Sequence, residues 1–129
     1  MFSVTGSCNC GSITVSLTAL PSKTVACHCR NCRRAGGPYS INYVVDESEV
    51  KVDDARRTLN EYEDYKTASG NLARRNFCKA CGSPIYTIDI TMPGKLLIKA
   101  SLFDDVVGER MDVFLDRKIQ WLPNQVLQK

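Results

Sequence analysis

Seven cysteines fall into three groups whose spacing is that of metal ligands. Cys8-x-Cys10 is followed by Gly11, Cys27-x-Cys29-x-x-Cys32 by Arg33 and Arg34, and Cys78-x-x-Cys81 by Gly82. In extended chain, residues two apart face the same side, so Cys8 with Cys10, and Cys27 with Cys29, can each aim two sulfurs at one point. A C-x-x-C turn does the same by curling, and a glycine directly after it supplies the backbone freedom of a metal knuckle. Two pairs and a triplet are the count of one closed site with four thiolates and one site with three. A closed tetrahedral zinc site holds a fold together, whereas three protein ligands leave a position for water or substrate.

Joining Cys8 and Cys10 to Cys78 and Cys81 makes the four-thiolate site and staples the amino-terminal region to the later half of the chain. The spacing also permits Cys29 and Cys32 to complete a site with Cys78 and Cys81. The remaining reading, metal-free cysteines acting as small buried hydrophobes, does not explain why they arrive as C-x-C, C-x-C-x-x-C and C-x-x-C. The setting agrees with metal. With 129 residues, 43% hydrophobic and 24% charged, the chain reads as one soluble domain over residues 1–129. MFSVTGSCNC has neither the basic start nor the apolar run of a secretion signal, and no stretch approaches the roughly 18 apolar residues that span a bilayer. The expected location is the cytoplasm or nucleus, without membrane contact. Thiols there stay reduced, so seven cysteines point to metal binding or catalysis rather than to disulfides.

The elements that must position these groups read as all-β. SITVSL (12–17), YSINYVV (39–45), IYTIDI (85–90) and KLLIKAS (95–101) are β-rich runs bounded by Pro, Gly, Asp and Asn. Shorter strands are expected at 49–52, 58–62 and 112–116, and single helical turns at 31–36 and 103–107. Gly70 and Asn71 mark a hairpin tip between TLNEYEDYKT and LARRNF, either a solvated hairpin or one that shapes the mouth of a site. His28 is the lone histidine. Placed between Cys27 and Cys29 on a strand, it points to the opposite face, so it reads as a core residue bonded to backbone rather than as a ligand or base. Proton transfer would then fall to a zinc-bound water, a carboxylate or one of Tyr39, Tyr43, Tyr62, Tyr65 and Tyr86.

The blocks GSCNCGSITVSL (6–17), CHCRNCRRAGG (27–37) and FCKACGSPIY (77–86) resemble the three motifs of the GFA/CENP-V family, named for glutathione-dependent formaldehyde-activating enzyme. DVFLDRKIQW (112–121) resembles the family's closing strand and tryptophan. The resemblance implies a β-tent fold of small antiparallel sheets with two zincs per chain. One would be structural on Cys8, Cys10, Cys78 and Cys81, and one catalytic on Cys27, Cys29 and Cys32. It implies a carbon–sulfur lyase acting on a small-molecule thiol adduct, similar to S-(hydroxymethyl)glutathione synthase, with glutathione as the example of the thiol.

The cations beside the triplet have two readings. Formal charge is +3, and ionising the seven thiols and adding two zinc ions brings it to about zero. That balance argues against a nucleic-acid partner, which favours a net basic surface. Arg30, Arg33 and Arg34 can hold the triplet as thiolates. They can also grip, with Arg74 or Arg75, a carboxylate of an anionic substrate, because the guanidinium fork suits a carboxylate. Three function classes follow: a zinc-dependent enzyme that makes or breaks a C–S bond, a non-catalytic binding module stabilised by two structural zincs, and a thiol-based redox or metal-buffering protein. The enzyme is the leading expectation, since a closed four-thiolate site would sequester most thiols from redox work.

Overall fold

The computed structural model describes residues 1–123, so residues 124–129 of the expected domain lie outside the described residues. In chain order the strands are β1 (Val4–Ser7), β2 (Thr14–Leu17), β3 (Lys23–Cys27), β4 (Ser40–Asp46), β5 (Val50–Asp53), β6 (Leu59–Asp64), β7 (Ala73–Cys78), β8 (Pro84–Asp89), β9 (Lys95–Lys99) and β10 (Glu109–Val113). The α-helix among the described residues, α1 (Arg30–Gly36), joins β3 to β4.

The strands form two sheets, one in the order β1-β2-β5 and one in the order β10-β3-β4-β9-β8-β7-β6. Antiparallel pairing dominates, as expected for an all-β chain built from short runs and tight turns. The exception is β10, which runs parallel to β3 with Met111 beside Val25 and Val113 beside Cys27. A parallel neighbour needs a long crossover, and the chain from His28 to Gly108, most of the molecule, supplies it.

Strand alternation gives the large sheet two different faces. On β4 and β9, Tyr43, Val45, Leu96 and Ile98 are buried in a cluster with Val15 and Leu17 of the small sheet, together with Ile13, Ile85, Leu102 and Phe103. The intervening residues, Ser40, Asn42, Leu97 and Lys99, face the other way. The register carries this second face onto Val25 and Cys27 of β3, opposite Asn42 and Ser40, and onto Thr87 of β8, opposite Leu97, and Arg75 of β7, opposite Thr87. One face of one sheet is therefore core, and the other is polar and carries a cysteine.

The expected runs map onto β2, β4, β5, β6, β8 and β9 with shifts of one or two residues at their ends, and the turn at 31–36 is α1. Gly70 lies at the tip of the β6–β7 hairpin with φ +82° and its N–H on Thr67 O. Three differences have physical causes. The helical turn expected at 103–107 is absent; a 3-10 turn instead covers Ala100–Leu102, where Ala100 and Leu102 fill the core. The strand expected at 112–116 starts earlier, at Glu109, and stops at Val113, because Phe114 adopts a left-handed conformation with φ +57°. β1 and β3 lay in segments too short and too interrupted by Gly, Ser and Cys to show alternation.

Tyr43 ties the core face to the segment that leads into β10. Its ring is fully buried, and its hydroxyl donates to Val107 O at 3.0 Å and accepts from Val107 N at 3.0 Å. Tyr43→Phe keeps the ring and loses both bonds, so unfolding in urea should show a loss of about 2 kcal/mol. A change below about 0.5 kcal/mol would mean that this segment is held by other contacts.

Candidate metal centres and the cavity beside them

Cys8, Cys10, Cys78 and Cys81 bring their sulfurs within 4.8 Å of one another. Two matching turns deliver them. Cys8 and Cys10 lie in the β1–β2 turn, where Gly11 N–H returns to Cys8 O, and Cys78 and Cys81 lie in the β7–β8 turn, where Gly82 N–H returns to Cys78 O. Both glycines sit at φ +81°, a conformation that disfavours any side chain. Four thiolates about 2.3 Å from one zinc stand about 3.8 Å apart in a tetrahedron. Cys8 Sγ lies 3.7 Å from Cys10 Sγ, and Cys10 Sγ 3.8 Å from Cys78 Sγ, so the cluster fits a zinc ion.

Hydroxyls surround these sulfurs. Ser12 Oγ is 3.3 Å from Cys78 Sγ and 2.7 Å from Thr58 Oγ1, and Ser83 Oγ is 3.2 Å from Cys81 Sγ while accepting from Asn9 N at 3.0 Å. Hydrogen bonds from Ser12 and Thr58 pull the Cys78 thiol down to about 5, and the Ser83 hydroxyl pulls Cys81 to about 7. The thiolate form is thereby favoured at Cys78 and Cys81, two of the four sulfurs a metal would need.

The triplet forms where a strand gives way to a helix. β3 ends at Cys27, His28 follows, Cys29 is the N-cap of α1, and Cys32 stands in its first turn. Cys29 Sγ accepts the Cys32 N–H at 3.3 Å, so the C-x-x-C spacing serves as helix cap and as chelate. The three sulfurs lie within 4.8 Å of one another and can hold a metal ion. Hydrogen bonds from Cys27 and Cys32 push Cys29 down to about 2, while the bonds that Cys27 makes with Cys29 and Cys32 push Cys27 up. The cluster thus favours the thiolate form at Cys29 over its two neighbours.

Cys27, Cys29 and Cys32 line a cavity on the polar face of the large sheet. Its floor carries Asn42, Thr87, Arg75 and Lys99. Thr67–Ser69 and Asn71–Ala73 of the β6–β7 hairpin form one wall, and Val113 and Phe114 the other. The hairpin therefore shapes the mouth of the site. Arg75 Nε binds Asp64 Oδ2 at 2.8 Å, and Asn31 Nδ2 holds the same carboxylate at 3.0 and 3.2 Å. Burial works against the Asp64 anion, but the bonds from Arg75 and Asn31 outweigh it and keep its carboxyl below the usual range. Burial pushes Lys99 down to about 8, and the nearby thiols of Cys32, Cys27 and Cys29 oppose that shift.

His28 is fully buried, as expected, but its partner is a side chain rather than backbone: Nε2 lies 2.7 Å from Asp112 Oδ1. Arg110 Nε also reaches Asp112, and Tyr39 packs against the His28 ring at 5.0 Å. With His28 N–H on Val113 O, these contacts clamp β10 to the loop that carries the triplet. The structure separates the two cysteine clusters, keeping Cys29 and Cys32 apart from Cys78 and Cys81. Arg30, Arg33 and Arg34 sit on α1 around a recess of their own with Gly37, and Arg34 also lines a groove with Arg75 and Lys99. The arginine in the triplet cavity is Arg75, and Arg74 turns outward to pair with Glu63. Lys99, Asn42, Thr87, Asp64 and Asp112 escaped the sequence reading. The available signal was polar residues at period two inside the apolar runs SINYVV and KLLIK.

A family model described as "Glutathione-dependent formaldehyde-activating enzyme" matches residues 3–117. Among solved structures, the chain is similar to a crystal structure of a Rhodobacter sphaeroides protein, with 20% identity and a TM-score of 0.64. That match covers 83% of this chain and 99% of the other, and it shows a shared fold. No curated protein matches the chain.

Zinc-replete protein should contain two zinc ions per chain by elemental measurement, with the triplet's ion the first lost to a chelator because it has fewer protein anchors. Cys81→Ser should prevent stable folding, while Cys32→Ser should remain folded and retain one zinc. Equal unfolding by both would show that the triplet also carries the fold.

Proposed function

Because the chain belongs to the glutathione-dependent formaldehyde-activating enzyme family, we propose that it joins a small aldehyde to a thiol of the glutathione class and cleaves the adduct in reverse, as a carbon–sulfur lyase. One observation carries this reading. The three-cysteine cluster opens into a cavity lined by cations and apolar side chains, whereas the four-cysteine cluster completes a ligand set within two turns. We assign the structural zinc to Cys8, Cys10, Cys78 and Cys81 and the catalytic zinc to Cys27, Cys29 and Cys32. When bound, the latter supplies a soft Lewis-acidic position suited to keeping a substrate sulfur as thiolate near neutral pH.

The chain's own residues do the rest. Arg75 is fixed through Nε by Asp64, which leaves its terminal nitrogens to receive a carboxylate of the thiol. Arg34, which shares a groove with Arg75, extends that positive surface outward from the triplet, with Arg30 and Arg33 beyond it. Val25, Leu72, Leu97, Val113 and Phe114 give the cavity an apolar lining, which lowers the local polarity and strengthens the electrostatics at the reacting centre. The His28–Asp112 contact holds the triplet loop against β10 and so fixes where the sulfur docks. The chemistry needs neither a redox cofactor nor a nucleic-acid or membrane partner.

The zinc-loaded protein should speed formation or cleavage of an aldehyde adduct of glutathione or a similar thiol, followed by NMR, with Cys32→Ser as the inactive control. Arg75→Gln should raise the KM for an anionic thiol about tenfold while leaving kcat nearly unchanged, since it removes charge-assisted binding. If no adduct turns over faster than with Cys32→Ser, the binding module stabilised by two structural zincs takes the place of the enzyme.

A further inference from the structure

Two polar groups on the cavity floor have hydrogen-bonding capacity left over. Lys99 is only 6% exposed, yet its Nζ donates to two neutral oxygens, Ser40 Oγ at 2.6 Å and Asn42 Oδ1 at 2.9 Å. No carboxylate pairs with it among the described residues. An ammonium has three donors, so one remains. Thr87 is likewise 6% exposed, and its Oγ1 is buried without a partner among the described residues. Because Thr87 stands opposite Leu97 in the β8–β9 register, Lys99 is its diagonal neighbour on the same face, within reach of a long side chain. Both line the cavity that holds the triplet. A buried polar group left unfilled costs stability, and two of them beside a three-thiolate cluster mark a place that a ligand oxygen completes.

We infer that Lys99 Nζ and Thr87 Oγ1 bind the aldehyde's oxygen, which makes Lys99 a catalytic residue of the reaction proposed above, on which this assignment rests. As the thiolate attacks, its sulfur pair forms the C–S bond and the carbonyl π pair moves onto that oxygen. Lys99 stays charged and stabilises the developing negative charge through its third N–H, with Thr87 donating alongside. The oxygen then takes up the proton that the thiol released on ionising, delivered by solvent at the open mouth. Thiol and aldehyde thus give a hydroxyalkyl thioether with no change of oxidation state in the protein, and cleavage reverses each movement. Ser40 and Asn42 orient the ammonium before the substrate arrives, the condition under which such a donor is most effective. Arg75 is less suited to the oxygen because Asp64 fixes its Nε and its terminal nitrogens serve the carboxylate of the thiol.

The test uses zinc-loaded protein with glutathione and formaldehyde, comparing wild type with Lys99→Met and Thr87→Val. Lys99→Met keeps length and removes the buried charge together with its bonds to Ser40 and Asn42. It should lower kcat about 100-fold while the KM for the thiol stays within about twofold, as expected for a donor acting on the transition state. Thr87→Val should lower kcat about tenfold yet leave the melting temperature equal or higher, because it removes an unpaired buried hydroxyl. A purely structural threonine would give the opposite pattern, a lower melting temperature with kcat unchanged. Folded variants that both work within about threefold of wild type overturn the assignment while the proposed function stands. A wild type that turns over no adduct overturns the function and this assignment together. If Lys99→Met does not fold, Thr87→Val decides alone.

Discussion

Four sulfur atoms gathered from two turns are the constraint on which the rest of the architecture depends. Cys10 and Cys78 are 68 residues apart, yet their sulfurs stand 3.8 Å from each other. One turn closes β1 onto β2 in the small sheet and the other closes β7 onto β8 in the large one, so the cluster fastens the two sheets together. Thiolates so close repel unless a cation lies among them, and a metal held there contributes its binding free energy to folding. The hydroxyls of Ser12, Thr58 and Ser83 soften the repulsion by bonding the sulfurs directly.

That fastening decides which face of the large sheet is core. Once β2 covers Tyr43, Val45 and Ile98, period-two alternation sends Asn42, Leu97, Lys99 and Thr87 to the opposite face. Among the described residues no second sheet covers that side. The β6–β7 hairpin, α1 and the residues after β10 rim it instead, leaving a cavity where Cys27, Cys29 and Cys32 meet the sheet. The same alternation that builds the core therefore delivers the site.

Charges around the triplet are arranged so that each fixed one restrains a functional one. Asp64 holds Arg75, and Asn31 from α1 holds Asp64, which couples the helix carrying Cys32 to the strand carrying the guanidinium. Asp112 holds His28 and Arg110, which couples the triplet loop to β10. Breaking a buried charged contact is costly because the partner is left unpaired in a poor solvent, so these bridges keep the triplet's surroundings rigid without adding apolar core. Among the described residues Lys99 has no such bridge, and this difference singles it out.

Much of the fold and half of the site were legible in the sequence. Cysteine spacing is local geometry: strand and turn periods alone aim the sulfurs, so the three groups could be read without knowing the fold. The long β-rich runs and α1 were legible for the same reason, and the family motifs agreed with the matched model over residues 3–117. β1, β3 and the start of β10 were not, since each is short and held by its neighbours rather than by its own pattern. Nor could spacing decide which cysteine pair joins Cys78 and Cys81, because that depends on how sheets meet. It likewise could not tell Arg75 from Arg30, Arg33 and Arg34 as the cation beside the triplet, or show that Asp112 meets His28 across 84 residues. Lys99, Thr87 and Asn42 are separated in the chain and become neighbours only through the register of β4, β8 and β9. The sequence by itself determined which atoms could bind a metal, because that follows from bonds along the chain; the tertiary structure decided which residues face that metal's open side, because that follows from pairing between strands distant in sequence.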